Sequence, residues 1–175
     1  MKIDQGFTPI LGNAPKVLIL GSMPSVKSLE QQQYYGNPQN SFWWIMSELL
    51  NFDSHLPYLQ RSEILIKNRI AVWDVIQACH RPGSLDSAID NSSIQANDLS
   101  QFFNDHTSIK LVIFNGQAAH KIFKKHVLHK QVKRSAIKES IFTGDYLILP
   151  STSPANAATS KAKKLDKWRV INDYL

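Results

Sequence analysis

The densest run of chemically useful side chains is Tyr34-Tyr35-Gly36-Asn37-Pro38-Gln39-Asn40-Ser41-Phe42-Trp43-Trp44, with five aromatic rings and three amides in eleven residues. Rings of this kind stack on nucleobases, and amides hydrogen-bond base edges or hold a water molecule. A plainer reading of the same residues is a core helix opened by Phe42, Trp43 and Trp44, with Asn40 as its N-cap. Other chemistries are missing from the sequence. The seven glycines form neither G-x-G-x-x-G nor a phosphate-binding G-x-x-x-x-G-K-[ST] loop, and there is no G-x-S-x-G nucleophile elbow. The six histidines have no metal-ligand spacing: His126 and His129 are three apart, but no carboxylate or cysteine accompanies them. A single cysteine, Cys79, can supply neither an iron–sulfur cluster nor an internal disulfide. What remains is chemistry by amides, hydroxyls, backbone N–H groups and one or two carboxylates, with no metal or cofactor expected.

Four short apolar, β-rich runs must position these groups: Lys16–Leu20, Ile70–Trp73, Leu111–Phe114 and Tyr146–Leu149. None alternates apolar with polar residues, the pattern of strands covered on both faces. Between them lie helical segments at Ser41–Asn51, Gln95–Asn104, Gln117–His129 and Ser160–Asp173. In Gln117–His129, the residues Ala118, Ile122 and Val127 are expected on the apolar face, with Lys121, Lys124 and Lys125 mostly off it. Strand followed by helix, repeated, predicts an α/β fold of three layers (α/β/α) around a short, mostly parallel four-stranded sheet. Ligands of such sheets bind beyond the carboxyl ends of the strands. The residues there are Gly21-Ser22-Met23-Pro24-Ser25, Asp74, Asn115-Gly116 and Pro150-Ser151-Thr152-Ser153-Pro154, all polar or bearing glycine or proline.

The chain of 175 residues carries no repeat or long linker, so one domain spanning 1–175 is expected. Its longest apolar runs are far short of the ~20 residues that cross a bilayer, and Pro9 and Pro15 break any signal-peptide core. A lone free thiol fits a reducing cytoplasm. The net charge of +6 and pI near 9.4 favour a polyanionic partner. Two basic stretches stand out. One comprises Lys161, Lys163, Lys164, Lys167 and Arg169; the other comprises Lys121, Lys124, Lys125, Lys130, Lys133 and Arg134.

Together these segments resemble the uracil-DNA glycosylase superfamily, and most closely its hypoxanthine-DNA (deoxyinosine) glycosylase branch. The resemblance is carried by Gly21–Ser25, Tyr34–Trp43, Val72–Val75, Arg81–Ser87, Phe114–Gly116 and Leu149–Asn156, in order along nearly the whole chain. It implies a monomeric DNA-repair enzyme acting on double-stranded DNA in the cytoplasm. Such an enzyme rotates a deaminated base out of the helix and hydrolyses its N-glycosidic bond, leaving an abasic site. A uracil- or mismatch-directed enzyme of the same fold and a non-catalytic lesion-binding protein are the alternatives. No lysine lies in the matched catalytic motifs, so no Schiff-base lyase step is expected.

The resemblance also implies residue roles. Ser22 stands where many relatives orient the attacking water with Asp or Asn, and Asn40 matches the asparagine that does so in the resembled branch. An amide can hold water without deprotonating it, which suffices if the glycosidic bond is nearly broken before attack. Phe42, or else Trp43, would stack on the extruded base. Met23 and the N–H groups of Ser22–Ser25 would border it. Asp74 would read the ring N–H of a lactam-type base, or else cap the next turn. Asn115 would contact the base or cap the following helix. Ser25, Ser151, Thr152, Ser153 and Pro154 would grip the DNA backbone, assisted by Lys161, Lys163 and Lys164. Leu149 replaces the histidine with which uracil-specific relatives stabilise the leaving base. A purine can leave instead by protonation of a ring nitrogen, which suits hypoxanthine.

Overall fold

In the computed structural model, which describes residues 2–128 and 141–175, Val17 through Leu20 are completely buried. They form β2 (Val17–Gly21), one of two inner strands of a four-stranded sheet with β3 (Ile70–Asp74), β6 (Leu111–Asn115) and β7 (Asp145–Leu149). The order is β3-β2-β6-β7 and every pairing is parallel. Successive side chains feed opposite layers, as the twofold strand period requires. Val17, Ile19, Ile70, Val72, Leu111 and Ile113 pack on one face against Phe42, Trp43, Ile45 and Met46 of α2 (Phe42–Leu50), Leu65 of α3 (Tyr58–Lys67) and Trp168 of α6 (Lys161–Trp168). Leu18, Leu20, Ala71, Val112 and Phe114 pack on the other against Leu99, Phe102 and Phe103 of α4 (Leu99–Asp105) and Ala119 and Phe123 of α5 (Gln117–Phe123). Each such buried side chain contributes roughly 1.5–3 kcal/mol, so two full layers hold the sheet rigid beneath its loops.

The four strands lie where the apolar runs are; β3, β6 and β7 each absorb a polar residue at an end (Asp74, Asn115 and Asp145), while β2 drops Lys16 and gains Gly21. Register then aligns those ends: Gly21 pairs with Asp74, Leu20 with Phe114, and Asn115 with Leu149. The chain leaves β2 toward β3 on one side and returns to β6 on the other, so the crevice between the β2 and β6 exits is a topological switch point.

Three elements differ from the sequence expectation. A second sheet, antiparallel, joins β1 (Asp4–Gln5), β4 (Ile76–Cys79) and β5 (Gln95–Ala96). Only Val75 separates β4 from β3, so the two read as one apolar run. Gln95 and Ala96 therefore belong to a strand, and the helix expected over Gln95–Asn104 begins at Leu99, where the Asp98 carboxylate accepts the Gln101 N–H. The apolar face of α5 is Ala119, Phe123 and Val127; Ala118 and Ile122 sit at its margin. A π-helical turn over Lys124–Leu128 widens the helix and brings Val127 back onto the core. Lys121, Lys124 and Lys125 are exposed, while His129, Lys130, Lys133 and Arg134 lie outside the described residues.

Candidate active site

Ser22, Met23, Ser25, Tyr35, Asn40, Asp74, Asp86, Asn115, Ser151 and Ser153 line one narrow slot of about 90 Å³ at the carboxyl edge of the sheet. Backbone bonds shape its floor: Val75 N–H donates to the Gly21 carbonyl (2.9 Å) and Ile76 N–H to the Ser22 carbonyl (3.0 Å). Gly21 is required there. A Cβ at that position would collide with the Asp74 carboxylate and come within 3.5 Å of the Tyr35 hydroxyl.

Asp74 is 4% exposed, and its Oδ2 has no hydrogen-bond partner. Burial pushes its pKa up to about 8, the nearby Asp86 charge adds to the rise, and Arg81 opposes it. At neutral pH the group is therefore a carboxylic acid. It does not cap the following turn through its side chain; its backbone carbonyl accepts from the Asn97 amide (2.8 Å).

Arg81, itself 4% exposed, donates from Nη2 to the Pro24 carbonyl. It begins a loop that clasps the β2 exit at two further points. Val26 N–H donates to Ser84 Oγ (3.0 Å), and Ser22 Oγ donates to Asp86 Oδ1 (2.6 Å). Ser22 thus lacks a carboxylate of its own but receives one from 64 residues away. Burial raises the pKa of Asp86, opposed by the Ser22 hydrogen bond and the Arg81 charge.

The stacking ring is not Phe42. Phe42 is wholly buried beneath Tyr35, whose ring lies against it at a 3.9 Å centroid distance and 20° tilt. Trp43 is core as well, and its indole N–H donates to the Tyr34 carbonyl. Tyr35 lines the slot in their place. Its backbone is left-handed (φ 54°), a strained state for a bulky residue that clusters at functional positions. Burial and the Asp74 charge push its phenol pKa up, so it stays neutral.

Asn115 braces this arrangement. Its Nδ2 donates to the Tyr35 hydroxyl (3.1 Å) and to Thr152 Oγ1 (2.9 Å), while its Oδ1 accepts the Thr152 N–H (2.9 Å). It neither caps α5 nor keeps a free N–H for a base. Gly116 (φ 103°) lets the β6 exit approach the Ser151 loop, where a Cβ would lie 2.8 Å from Ser151 Cβ. Thr152 is 1% exposed, and its carbonyl accepts both N–H and Oγ–H of Ser41. It cannot face a phosphate; it ties the β7 exit to the start of α2. Asn40 stands one residue before Ser41, the N-cap of α2, which makes no side-chain cap bond of its own. Asn40 Oδ1 accepts the Phe42 N–H (3.0 Å), and the residue still lines the slot. Ser25 caps α1 (Val26–Gln31), accepting the Ser28 N–H. Of the lysines, Lys164 is 5% exposed and donates to the Ser153 carbonyl (3.2 Å). Lys161 lies over the Trp44 ring, and Lys163 is exposed away from the slot. Leu149 is buried and offers no donor there.

Among the described residues no group of His, Cys, Asp and Glu is placed to hold a metal, and no helix is long and apolar enough to cross a membrane. Sequence reading missed Tyr35, Arg81 and Asp86. Tyr35 was visible only as one ring of five, and the Arg81–Ser87 segment had matched the family without any role following from it.

The fold and site together are a parallel α/β sheet with a polar, partly desolvated slot at its switch point, walled on one side by the Tyr35 ring. Residues 9–175 match the family model of the uracil DNA glycosylase superfamily, and the chain belongs to that superfamily. It is 34% identical to a hypoxanthine DNA glycosylase of Methanosarcina acetivorans over 97% of this chain and 98% of that one. It is also 34% identical to a hypoxanthine DNA glycosylase of Methanosarcina barkeri, over 91% and 92% respectively. A solution NMR structure of a candidate uracil DNA glycosylase from Methanosarcina acetivorans superimposes with a TM-score of 0.76 at 33% identity, covering 97% of this chain and 96% of that one.

Proposed function

We propose that this chain is a monofunctional DNA glycosylase that removes hypoxanthine, the deamination product of adenine, from double-stranded DNA and leaves an abasic site. The observation that carries the reading is the convergence of Ser22, Asn40, Asp74 and Ser153 from four separate chain segments on one slot. The rotated base lies on the free face of Tyr35. Asp74, protonated at neutral pH, hands a proton to the departing purine; a purine leaves far more easily once a ring nitrogen is protonated. The sugar is left as an oxocarbenium-like cation. Asn40 holds the attacking water through the second lone pair of Oδ1, the first being engaged by Phe42 N–H. The Ser22–Asp86 pair offers that water a carboxylate to receive its proton once attack has begun. Ser151 and Ser153 border the slot, Pro154 lines the adjoining groove, all three contact the flanking backbone, and the buried Lys164 fixes their loop. The reaction needs no metal or cofactor, and the enzyme acts as a cytoplasmic, DNA-associated monomer.

Duplexes holding a single inosine, uracil, xanthine or thymine mispair, incubated with the protein and then cleaved with alkali at abasic sites, test this. Release of hypoxanthine well above the other bases is expected. Release of uracil alone, or of no base from any duplex, overturns the reading.

A further inference from the structure

Beside the slot, and sharing Tyr35 and Asn40 as a common wall, runs a much larger groove of about 890 Å³. Its charge is one-sided. Arg61, Lys161 and Lys164 line it, and no Asp or Glu does; His55, also in the lining, is held by Asp53 (3.0 Å). Two of these cations are held on aromatic faces. The Arg61 guanidinium lies 4.5 Å from the Trp43 ring centroid and 5.9 Å from that of Tyr58, and Lys161 Nζ lies 4.2 Å from that of Trp44. Such stacking fixes a cation's position and leaves its outward donors free. Among the described residues no carboxylate pairs with either one, and Arg61 Nε is buried without a partner. Amides of Gln33, Asn37, Gln39 and Asn156 complete the walls, a donor–acceptor set suited to base edges.

A cavity with fixed cations, no acidic side chain in its lining and the accessible amides of Gln33 and Gln39 fits a nucleotide: phosphodiester on the cations, base against the amides and the Trp44 side. We propose that the groove receives a neighbouring, unstacked nucleotide of the lesion strand while the damaged base occupies the slot. The inference rests on the glycosylase reading, which places a DNA strand at the slot's mouth. It makes the protein a reader of locally unpaired sites within a duplex, so that lesions beside unpaired neighbours are its preferred substrates.

The test measures binding of a fluorescein-labelled, undamaged oligothymidylate to the full chain by anisotropy across a salt series. Arg61→Gln should weaken binding about tenfold and lower the slope of log K against log salt by about 0.7, the value of one phosphate contact on a single strand. Gln39→Glu, at an exposed site on the rim, adds a negative charge without disturbing packing and should weaken binding in the same direction. Wild-type protein should release base faster from inosine flanked by unpaired neighbours than from inosine in a perfect duplex, and Arg61→Gln should erase that preference. Unchanged affinity and slope in both variants overturns the proposal. Base release from the fully paired inosine duplex is read separately: its absence in the wild type removes the glycosylase reading, whatever the oligothymidylate does.

Discussion

Replacing Asp74 by asparagine keeps the shape of the slot floor and removes its titration. Wild-type Asp74 titrates near 8 when folded, against 3.8 as an ordinary carboxyl. Between those values the unfolded chain has released the proton and the folded chain retains it, so stability is highest at low pH and falls as pH rises. Each pH unit removes about 1.4 kcal/mol, giving a loss of about 4 kcal/mol between pH 5 and the point near pH 8 where the folded state also ionises. Asp86, Arg81, Tyr34 and Tyr35 stand in both proteins, so the difference between the two curves isolates the Asp74 carboxyl together with its coupling to Asp86. Urea unfolding of wild type and Asp74→Asn at fixed ionic strength, from pH 5 to 9.5, should show the variant gaining about 4 kcal/mol on the wild type across the range. The wild-type rate of hypoxanthine release should fall about tenfold per unit above pH 8, while the variant is slow and nearly flat. Stability curves that run parallel would refute the buried-acid argument. A variant that retained the wild-type rate and pH profile would remove Asp74 from the chemistry.

Asn40→Ala should lose the hydrogen bond from Phe42 N–H at the start of α2, about 1 kcal/mol of stability. It should also slow single-turnover base release at least about a hundredfold while lesion-DNA affinity changes little; an unchanged rate would sink its catalytic assignment. Tyr35→Ala should weaken lesion binding by ~1–3 kcal/mol, the scale of base–aromatic stacking. Phe42→Ala should instead lower folding stability by about 3–5 kcal/mol, the cost of emptying a core site, so titration and melting curves tell the two rings apart. Gly21→Ala should destabilise by about 1–3 kcal/mol through overpacking against the Asp74 carboxylate. Asp74→Ala in the same chain should restore much of that loss, and strictly additive effects would contradict the contact.

The main sheet was legible because Val17–Leu20 and Leu111–Phe114 have no polar residue to place on an outer face, which forces cover on both sides. The small antiparallel sheet was not. Its strands are short, and β4 continues directly from β3, so no change of composition marks the boundary. Within the site, Ser22, Asp74 and Asn115 followed from position alone, each standing at or just past a strand end. Tyr35 was missed because spacing cannot tell which ring of a cluster faces in; that depends on a left-handed backbone visible only in three dimensions. Thr152 shows the converse: a hydroxyl in a polar loop looks available until its hydrogen bonds all turn inward. Asp86 meets Ser22 only through the loop that β4 carries back, a contact no local pattern encodes.

Tyr35 is fixed before any DNA arrives, pressed on Phe42 below and held at its hydroxyl by Asn115. Under the proposed function, a nucleobase swinging out of the helix would meet a shelf already in place, and no side chain would have to be ordered at the moment of capture. Discrimination then shifts to the duplex itself. A damaged or mispaired base costs less to extrude than an intact one, so under the proposed function the altered nucleotide would spend more time extruded and a rigid shelf would harvest that excess.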